Sequence, residues 1–430
     1  MKKFIHNPFL IFVFTFFVII LIGSILLYLP SINESKGYGY IDALFTSTSA
    51  VCVTGLATFS VSSFSFLGQV IILILIQLGA IGIMSLGTFL ILFLRGELDF
   101  EGRMTISKIG STFSIHEADK VIVFIFFYLI SIEFIGSVLL FFGFFIEGFD
   151  LKHSLYYSVF HSISAFCNAG FSTFDNSLIG KSNFIKIVIS LLIILGGVGF
   201  YVVFDLLRYL KHKREKIKIK IHTKIVLITT IFLIAFGSII ILIVEPDISF
   251  TDALFQSVTA RTAGFNTVDI ASLHNISIFV ILNLMVIGGS PGSTAGGIKT
   301  TTFFVISLSV LRVLKGEKRA NAFKREISTE NVLKAHTVFF LYMLLISIGT
   351  TLLLYNNDAG FIGSFFEVTS AVGTVGLSLG ITSALSEFGK FIIICLMFAG
   401  RVGPSVLFMV LLKKEKKSKI AYPEEKIILG

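Results

Sequence analysis

Four times along this chain a long apolar stretch is followed by a short semi-polar one and then by another long apolar one. The long stretches lie at about 9–29, 66–94, 121–146, 184–210, 223–244, 277–314, 335–355 and 388–412. Each supplies the roughly 20 apolar residues that a helix rising 1.5 Å per residue needs to cross a bilayer core. The short ones, at about 41–53, 152–168, 251–263 and 362–374, cannot span. Few folds are open to such a chain. In hydrocarbon every backbone polar group must be satisfied internally, and irregular backbone is tolerated only against protein or a water-filled cavity. Charged residues make up 14% and mean hydropathy is +0.92, too few charges and too apolar for a soluble domain. The expectation is an all-α integral membrane protein with eight transmembrane spans.

The short stretches also resemble one another. Asp42-Ala43-Leu44-Phe45-Thr46-Ser47 matches Asp252-Ala253-Leu254-Phe255-Gln256-Ser257, and Ser164-Ala165-Phe166-Cys167-Asn168-Ala169-Gly170-Phe171 matches Ser49-Ala50-Val51-Cys52-Val53-Thr54-Gly55-Leu56. The third copy ends Thr262-Ala263-Gly264-Phe265 and the fourth Thr374-Val375-Gly376-Leu377. A single small-Gly-bulky tripeptide carries no information, but four in register with the span pattern mark an internal repeat. The expected units are 1–95, 96–210, 211–315 and 316–412, with 413–430 as a tail.

The net charge of +9 would suggest nucleic acid in a polar chain. Here 27 of the 35 basic residues fall in the N-terminus, the loops 95–120, 208–224 and 312–334, and the tail. The positive-inside rule places these segments and both termini in the cytoplasm, and the short stretches re-enter from outside. Acidic residues Glu34, Asp42, Asp150, Asp175, Glu245, Asp247, Asp252 and Asp269 fall on the outer side, where they are expected to concentrate cations. The run after Met1-Lys2-Lys3 is too long for a signal h-region and reads as the first span. Cys52, Cys167 and Cys395 are too dispersed for a disulfide framework or a metal site.

Four pseudo-equivalent re-entrant loops would ring a cavity with backbone carbonyls, which can replace the hydration shell of an alkali cation. Glycine suits such loops because it lets backbone approach closely. No loop position carries a carboxylate, which favours a monovalent ion. The pattern resembles the Trk/Ktr/HKT superfamily of potassium transporters, and most of all the Ktr-type ion-translocating membrane subunit. That resemblance implies four membrane helix–pore helix–membrane helix units around one pore. It implies a selectivity filter at Val53, Thr54, Gly55, Asn168, Ala169, Gly170, Thr262, Ala263, Gly264, Thr374, Val375 and Gly376, with K⁺ held at the four glycines. It also implies K⁺ uptake with sodium dependence, no enzymatic activity, a homodimer in the cytoplasmic membrane, and a separate cytosolic nucleotide-binding ring as regulatory partner.

The sixth long stretch is broken by Gly288-Gly289-Ser290-Pro291-Gly292-Ser293-Thr294-Ala295-Gly296-Gly297-Ile298-Lys299. The resemblance makes Gly288, Gly289, Ser290, Gly292, Ser293, Thr294, Gly296, Gly297 and Lys299 an intramembrane gate, with Arg401 beside it. Gly292 and Gly297 have P-loop spacing, but Ile298 stands where that motif needs Lys, and no nucleotide is expected on this chain. The basic run 211–220 reads as a solvated loop or a surface for anionic lipid or the partner. His161 lies on the second short segment, Glu367 on the fourth, and Glu133 in mid-span with no visible partner; none is assigned a role. Two other functions stay open on the residues: a sodium-selective or non-selective cation transporter of the same fold, and an alternating-access transporter, which usually has broken helices in corresponding halves.

Overall fold

The computed structural model describes residues 8–33, 37–82, 118–211, 218–317, 319–356 and 360–404. Lys2 and Lys3, the loop 95–117, the end of the second span beyond 82, positions 212–217 of the basic run, and the stretch 405–430 lie outside the described residues. Unbroken apolar runs without internal Pro form the helices α1 Pro8–Tyr28, α3 Phe66–Gly82, α4 Ala118–Ile146, α8 Ile221–Val244 and α12 Thr329–Asn356. Between them sit four short helices: α2 Tyr40–Val51, α5 Leu151–Phe166, α9 Phe250–Thr259 and α13 Gly360–Gly373. The remaining helices are α6 Asn183–Val198, α7 Phe200–Lys211, α10 Asn275–Val286, α11 Thr300–Leu314 and α14 Glu387–Val402.

Among the described residues, Val123–Ile146, Ile221–Val244 and Thr329–Tyr355 are each long and apolar enough to cross a membrane, and the α6–α7 pair is a fourth if counted as one span. That pair corrects the expected continuous span at 184–210: the two helices meet at 91°. Gly199, at φ 90°, makes the corner. A Cβ there would lie 2.7 Å from Ser290 Oγ and 2.9 Å from the Pro291 carbonyl. The chain therefore turns because the glycine-rich segment occupies the path a straight helix would take. A second expected span, 277–314, is interrupted between Val286 and Thr300.

The outer surface is rich in large apolar side chains, while the interior holds many hydroxyls among its apolar core. Phe14, Phe127, Phe134, Ile231 and Ile243 are exposed, while Ser47, Ser49, Ser162, Ser164, Ser257, Thr369 and Ser370 are fully buried. Each short helix packs on the two long helices that flank it, and also on the closing helix of the preceding unit: α2 on α14, α5 on α3, α9 on α6 and α13 on α10. The contacts therefore close on themselves. Close packing is local and repeated. A Cβ on Gly23, Gly136 or Gly237 would lie 2.4–2.5 Å from the hydroxyls of Ser47, Ser162 and Ser257. Those hydroxyls donate to the carbonyls of Ile20 (2.7 Å), Glu133 (2.6 Å) and Ile234 (2.8 Å).

One element was not expected. Within the basic loop 312–334, β1 Ala320–Ala322 pairs antiparallel with β2 Arg325–Ile327, in the register Ala320↔Ile327. Phe323 and Lys324 both have positive φ, as a two-residue hairpin turn requires.

Candidate functional site

The short helices end one to four residues before the expected boundaries, and for one reason. Val53, Asn168, Thr262 and Thr374 each take a left-handed φ of 50–72°, which a helix cannot contain. Two residues later Gly55, Gly170, Gly264 and Gly376 take φ values of 70–96°. The four glycines then meet. A Cβ on Gly55 would lie 2.5 Å from the Ala169 carbonyl, on Gly170 2.5 Å from that of Ala263, on Gly264 2.6 Å from that of Val375, and on Gly376 2.2 Å from that of Thr54. Each glycine thus abuts the next unit's backbone and the fourth abuts the first, so all twelve expected positions cluster in one ring.

Hydroxyls on the short helices hold the ring. Ser49 Oγ accepts from Gly55 N–H at 3.0 Å and Ser370 Oγ from Gly376 N–H at 3.1 Å. Ser164 Oγ donates to the Phe171 carbonyl at 2.7 Å and Thr259 Oγ1 to the Phe265 carbonyl at 2.8 Å. The hydroxyls of Thr54, Thr262 and Thr374 are buried without a protein partner. The C-termini of all four short helices converge here, each contributing roughly half a negative elementary charge. The site therefore offers neutral oxygens under a negative field, suited to a desolvated monovalent cation.

Above the ring lies a vestibule of about 420 Å³, lined by the glycines and by Ser172, Asp175, Asp269, Ser378 and Thr382 among others. Asp175 accepts from Ser60 Oγ at 2.5 Å and also from Ser62 Oγ, tying the loops of the first two units together. Those two hydrogen bonds hold its carboxyl below the usual value of 3.8. The other outer acids need correction. Asp42 is buried and paired with Lys390 at 2.7 Å, and Asp252 is paired with Lys186 at 2.6 Å. Asp150 pairs with His153 and Glu245 with His274. Glu34 lies outside the described residues; among the other seven, Asp175 and Asp269 line the vestibule.

Below the ring runs the glycine-rich segment. Gly288 N–H donates to the Ile298 carbonyl at 2.9 Å, which closes the segment into a loop. Ser290 N–H reaches the Gly197 carbonyl at 3.0 Å and Phe200 N–H reaches that of Gly292 at 3.0 Å, against the α6–α7 corner. Thr294 Oγ1 donates to the Phe166 carbonyl at 3.1 Å, at the end of α5. A Cβ on Gly296 would overlap Thr374 Oγ1 of the ring, at 1.9 Å. Arg401 is buried, donating from Nη1 to the Thr294 carbonyl at 2.5 Å and from Nη2 to that of Gly79 at 3.0 Å. Lys299 Nζ folds onto the Ala295 carbonyl at 2.7 Å. Gly289, Ser293 and Gly297 complete the loop, with a Gly289 Cβ 3.0 Å from Ser293 Oγ and a Gly297 Cβ 3.1 Å from Gly288 Cα.

Three further glycines were missed. A Cβ on Gly79, Gly196 or Gly400 would lie 1.9–2.1 Å from the carbonyls of Val51, Phe166 and Val372, where the short helices end. Their sequence signal is Gly-x-(Ile/Val)-Gly at 79–82, 196–199 and 400–403. Glu133 is not partnerless: Gln77 Nε2 donates to it at 3.2 Å and Cys167 Sγ lies 3.5 Å away.

A family model described as "TrkH: Cation transport protein" matches residues 2–420. The potassium/sodium uptake protein NtpJ of Enterococcus hirae is 37% identical over 96% of this chain and 95% of its own length. The Ktr system potassium uptake protein B of Bacillus subtilis is likewise 37% identical, over 96% of this chain and 95% of its own. The crystal structure of the potassium transporter TrkH from Vibrio parahaemolyticus shares the fold, with a TM-score of 0.75 over 94% of this chain and 85% of that one, at 21% identity. The chain belongs to the TrkH family of cation transport proteins.

Proposed function

We propose that this chain carries K⁺ into the cell through a pore on the axis of four pseudo-repeated units, with eight spans and both termini cytoplasmic. The observation that carries the reading is the closed ring of Gly55, Gly170, Gly264 and Gly376, with neighbouring carbonyls and three unpaired Thr hydroxyls. Those oxygens would replace part of the hydration shell of K⁺, and the helix C-termini would offset its charge. No bond is made or broken, so the chain acts as a transporter and not as an enzyme. The relatives support the ion: two are named for potassium uptake, one of them for potassium and sodium. Sodium dependence fits that name.

The loop 288–299 would act as the gate, since it lies across the route below the ring and is held by backbone hydrogen bonds that a small movement breaks. Arg401 would latch it through the Thr294 carbonyl. A cytosolic nucleotide-binding ring would bear on this gate from the basic side, and the chain would work as a homodimer in the cytoplasmic membrane. Expression in cells lacking potassium uptake tests the reading: growth at micromolar K⁺ should be restored. Gly264→Ser, whose Cβ must displace the Val375 carbonyl, should lower the preference for K⁺ over Na⁺. Uptake of Na⁺ alone, or a ratio that Gly264→Ser leaves unchanged, would remove potassium selectivity from this ring.

A further inference from the structure

Beyond the ring, two buried side chains reach past the filter turn to hold the strand that leaves it. Glu367, on α13, is fully buried nine residues before Gly376. Its Oε2 accepts from Ser378 Oγ at 2.7 Å and its Oε1 from Thr382 Oγ1 at 2.5 Å. Ser378 in turn accepts from Gly380 N–H at 3.0 Å, so the whole exit segment is bound back onto the helix. His161, on α5, is fully buried nine residues before Gly170. Its Nδ1 faces the Tyr157 carbonyl at 2.8 Å, and a carbonyl can only accept, so Nδ1 bears the proton. Nε2 is left to accept from Ser172 Oγ at 3.0 Å. Ser172 also accepts from Phe174 N–H at 3.1 Å, and the imidazole stacks on the Phe174 ring at 5.0 Å. Thr46 and Gln256 stand at the neighbouring positions of the other two units, and Gln256 Nε2 reaches Thr267 Oγ1 at 3.5 Å.

We propose that Glu367 and His161 are positioning residues for ion selectivity, fixing the exit strands of two opposite units of the ring through Ser378 and Thr382 and through Ser172. The proposal rests on reading the ring as the selectivity filter. In the second and fourth units the turn has two attachments. A short hydroxyl holds it at the glycine or the residue after it, Ser164 at the Phe171 carbonyl and Ser370 at the Gly376 N–H, and the longer side chains of His161 and Glu367 hold it two or more residues beyond the glycine. The second and fourth units face each other across the ring, because Gly170 and Gly376 both adjoin Gly264. A carbonyl cage rejects the smaller ion only as far as its oxygens fail to close upon it, so freeing the exit strands at two opposite corners weakens discrimination. Neither side chain meets the ion. Serine hydroxyls at the vestibule wall stand between them and the pathway.

Reversal potentials under K⁺ and Na⁺ gradients, with the full chain in proteoliposomes, test this. Glu367→Ala and Ser378→Ala should each lower the K⁺/Na⁺ permeability ratio about fivefold, the equivalent of one hydrogen bond's net worth. Glu367→Gln should keep the wild-type ratio, since its amide oxygen accepts from one hydroxyl and its NH₂ donates to the other. The double variant should be no worse than Glu367→Ala alone. His161→Ala should lower the ratio, and His161→Gln, which keeps a polar atom near the Nε2 position, should restore it. Ser378→Ala removes one atom from a half-exposed side chain, so it reports even where Glu367→Ala does not insert. Loss of selectivity in Glu367→Gln equal to that in Glu367→Ala, or an unchanged ratio in Ser378→Ala and His161→Ala, would overturn the proposal. If Gly264→Ser shifts the ratio and these variants do not, the filter stands and the positioning role falls. If the wild type itself shows no selectivity, the filter reading falls first.

Discussion

Asp175 shows how little of the outer acidic character reaches the pathway. Its carboxylate sits on the vestibule wall, held ionised by the hydroxyls of Ser60 and Ser62. The sign is that of a depressed acid: the charge persists as pH falls and is lost only below the ordinary 3.8. Asp175→Asn should therefore reduce K⁺ flux at low ionic strength throughout the neutral and mildly acidic range. The deficit should shrink in about 1 M salt, where the screening length falls to about 3 Å. Flux measured at both salt concentrations checks this, and an equal deficit at both would point to a role other than charge. The acids themselves were legible in the sequence. Their partners were not, because Lys390 is 348 residues from Asp42 and no local spacing relates them.

At the scale of elements, the break between α10 and α11 and the corner between α6 and α7 form one assembly. The first break was legible, since Gly, Pro, Ser and Thr crowd 288–297. The second was not. Gly196-Gly197-Val198-Gly199 lies in an apolar run and could continue a helix; it bends where Ser290 and Thr294 bond to the carbonyls of Gly197 and Gly196 and the Gly292 carbonyl accepts from Phe200 N–H. Arg401 adds the charged tie, through the carbonyls of Thr294 and Gly79. Arg401→Gln should loosen the loop and raise basal K⁺ flux, and deletion of Gly292–Gly297 should raise it further. Flux through the chain alone, in liposomes, is the measurement; unaltered flux in both variants would argue against a gate.

Across the whole molecule, the joints between units are not alike. Lys390 of the fourth unit pairs with Asp42 of the first, and Lys186 of the second with Asp252 of the third. Where Lys186 and Lys390 stand in the second and fourth units the first has Gln69, whose Oε1 accepts from Tyr156 Oη of the second unit at 2.5 Å, a neutral hydrogen bond in place of an ion pair. Removing one member of a buried ion pair strands the other, at a cost of about 3–5 kcal/mol. Lys390→Met and Lys186→Met should thus lower the thermal midpoint in detergent. Adding Asp42→Asn to Lys390→Met should recover much of the loss. A single variant as stable as the wild type would show the pair to be solvated in the detergent-bound protein.

The sequence by itself determined the helical class, the break at 288–299 and the four glycines that the fold brings together. Those features depend on hydropathy, length and local backbone preference, and each is written within some 20 consecutive residues. Only the tertiary structure decided what those residues meet. It set the order of the ring, in which Gly55 abuts Ala169 and Gly376 abuts Thr54. It gave Glu133 its partners, withdrew Asp42 and Asp252 from the vestibule, and turned Glu367 and His161 toward the strands beyond the glycine ring. Such contacts join units far apart in the chain, and backbone closeness of this kind leaves no trace except a glycine, which many other causes also produce.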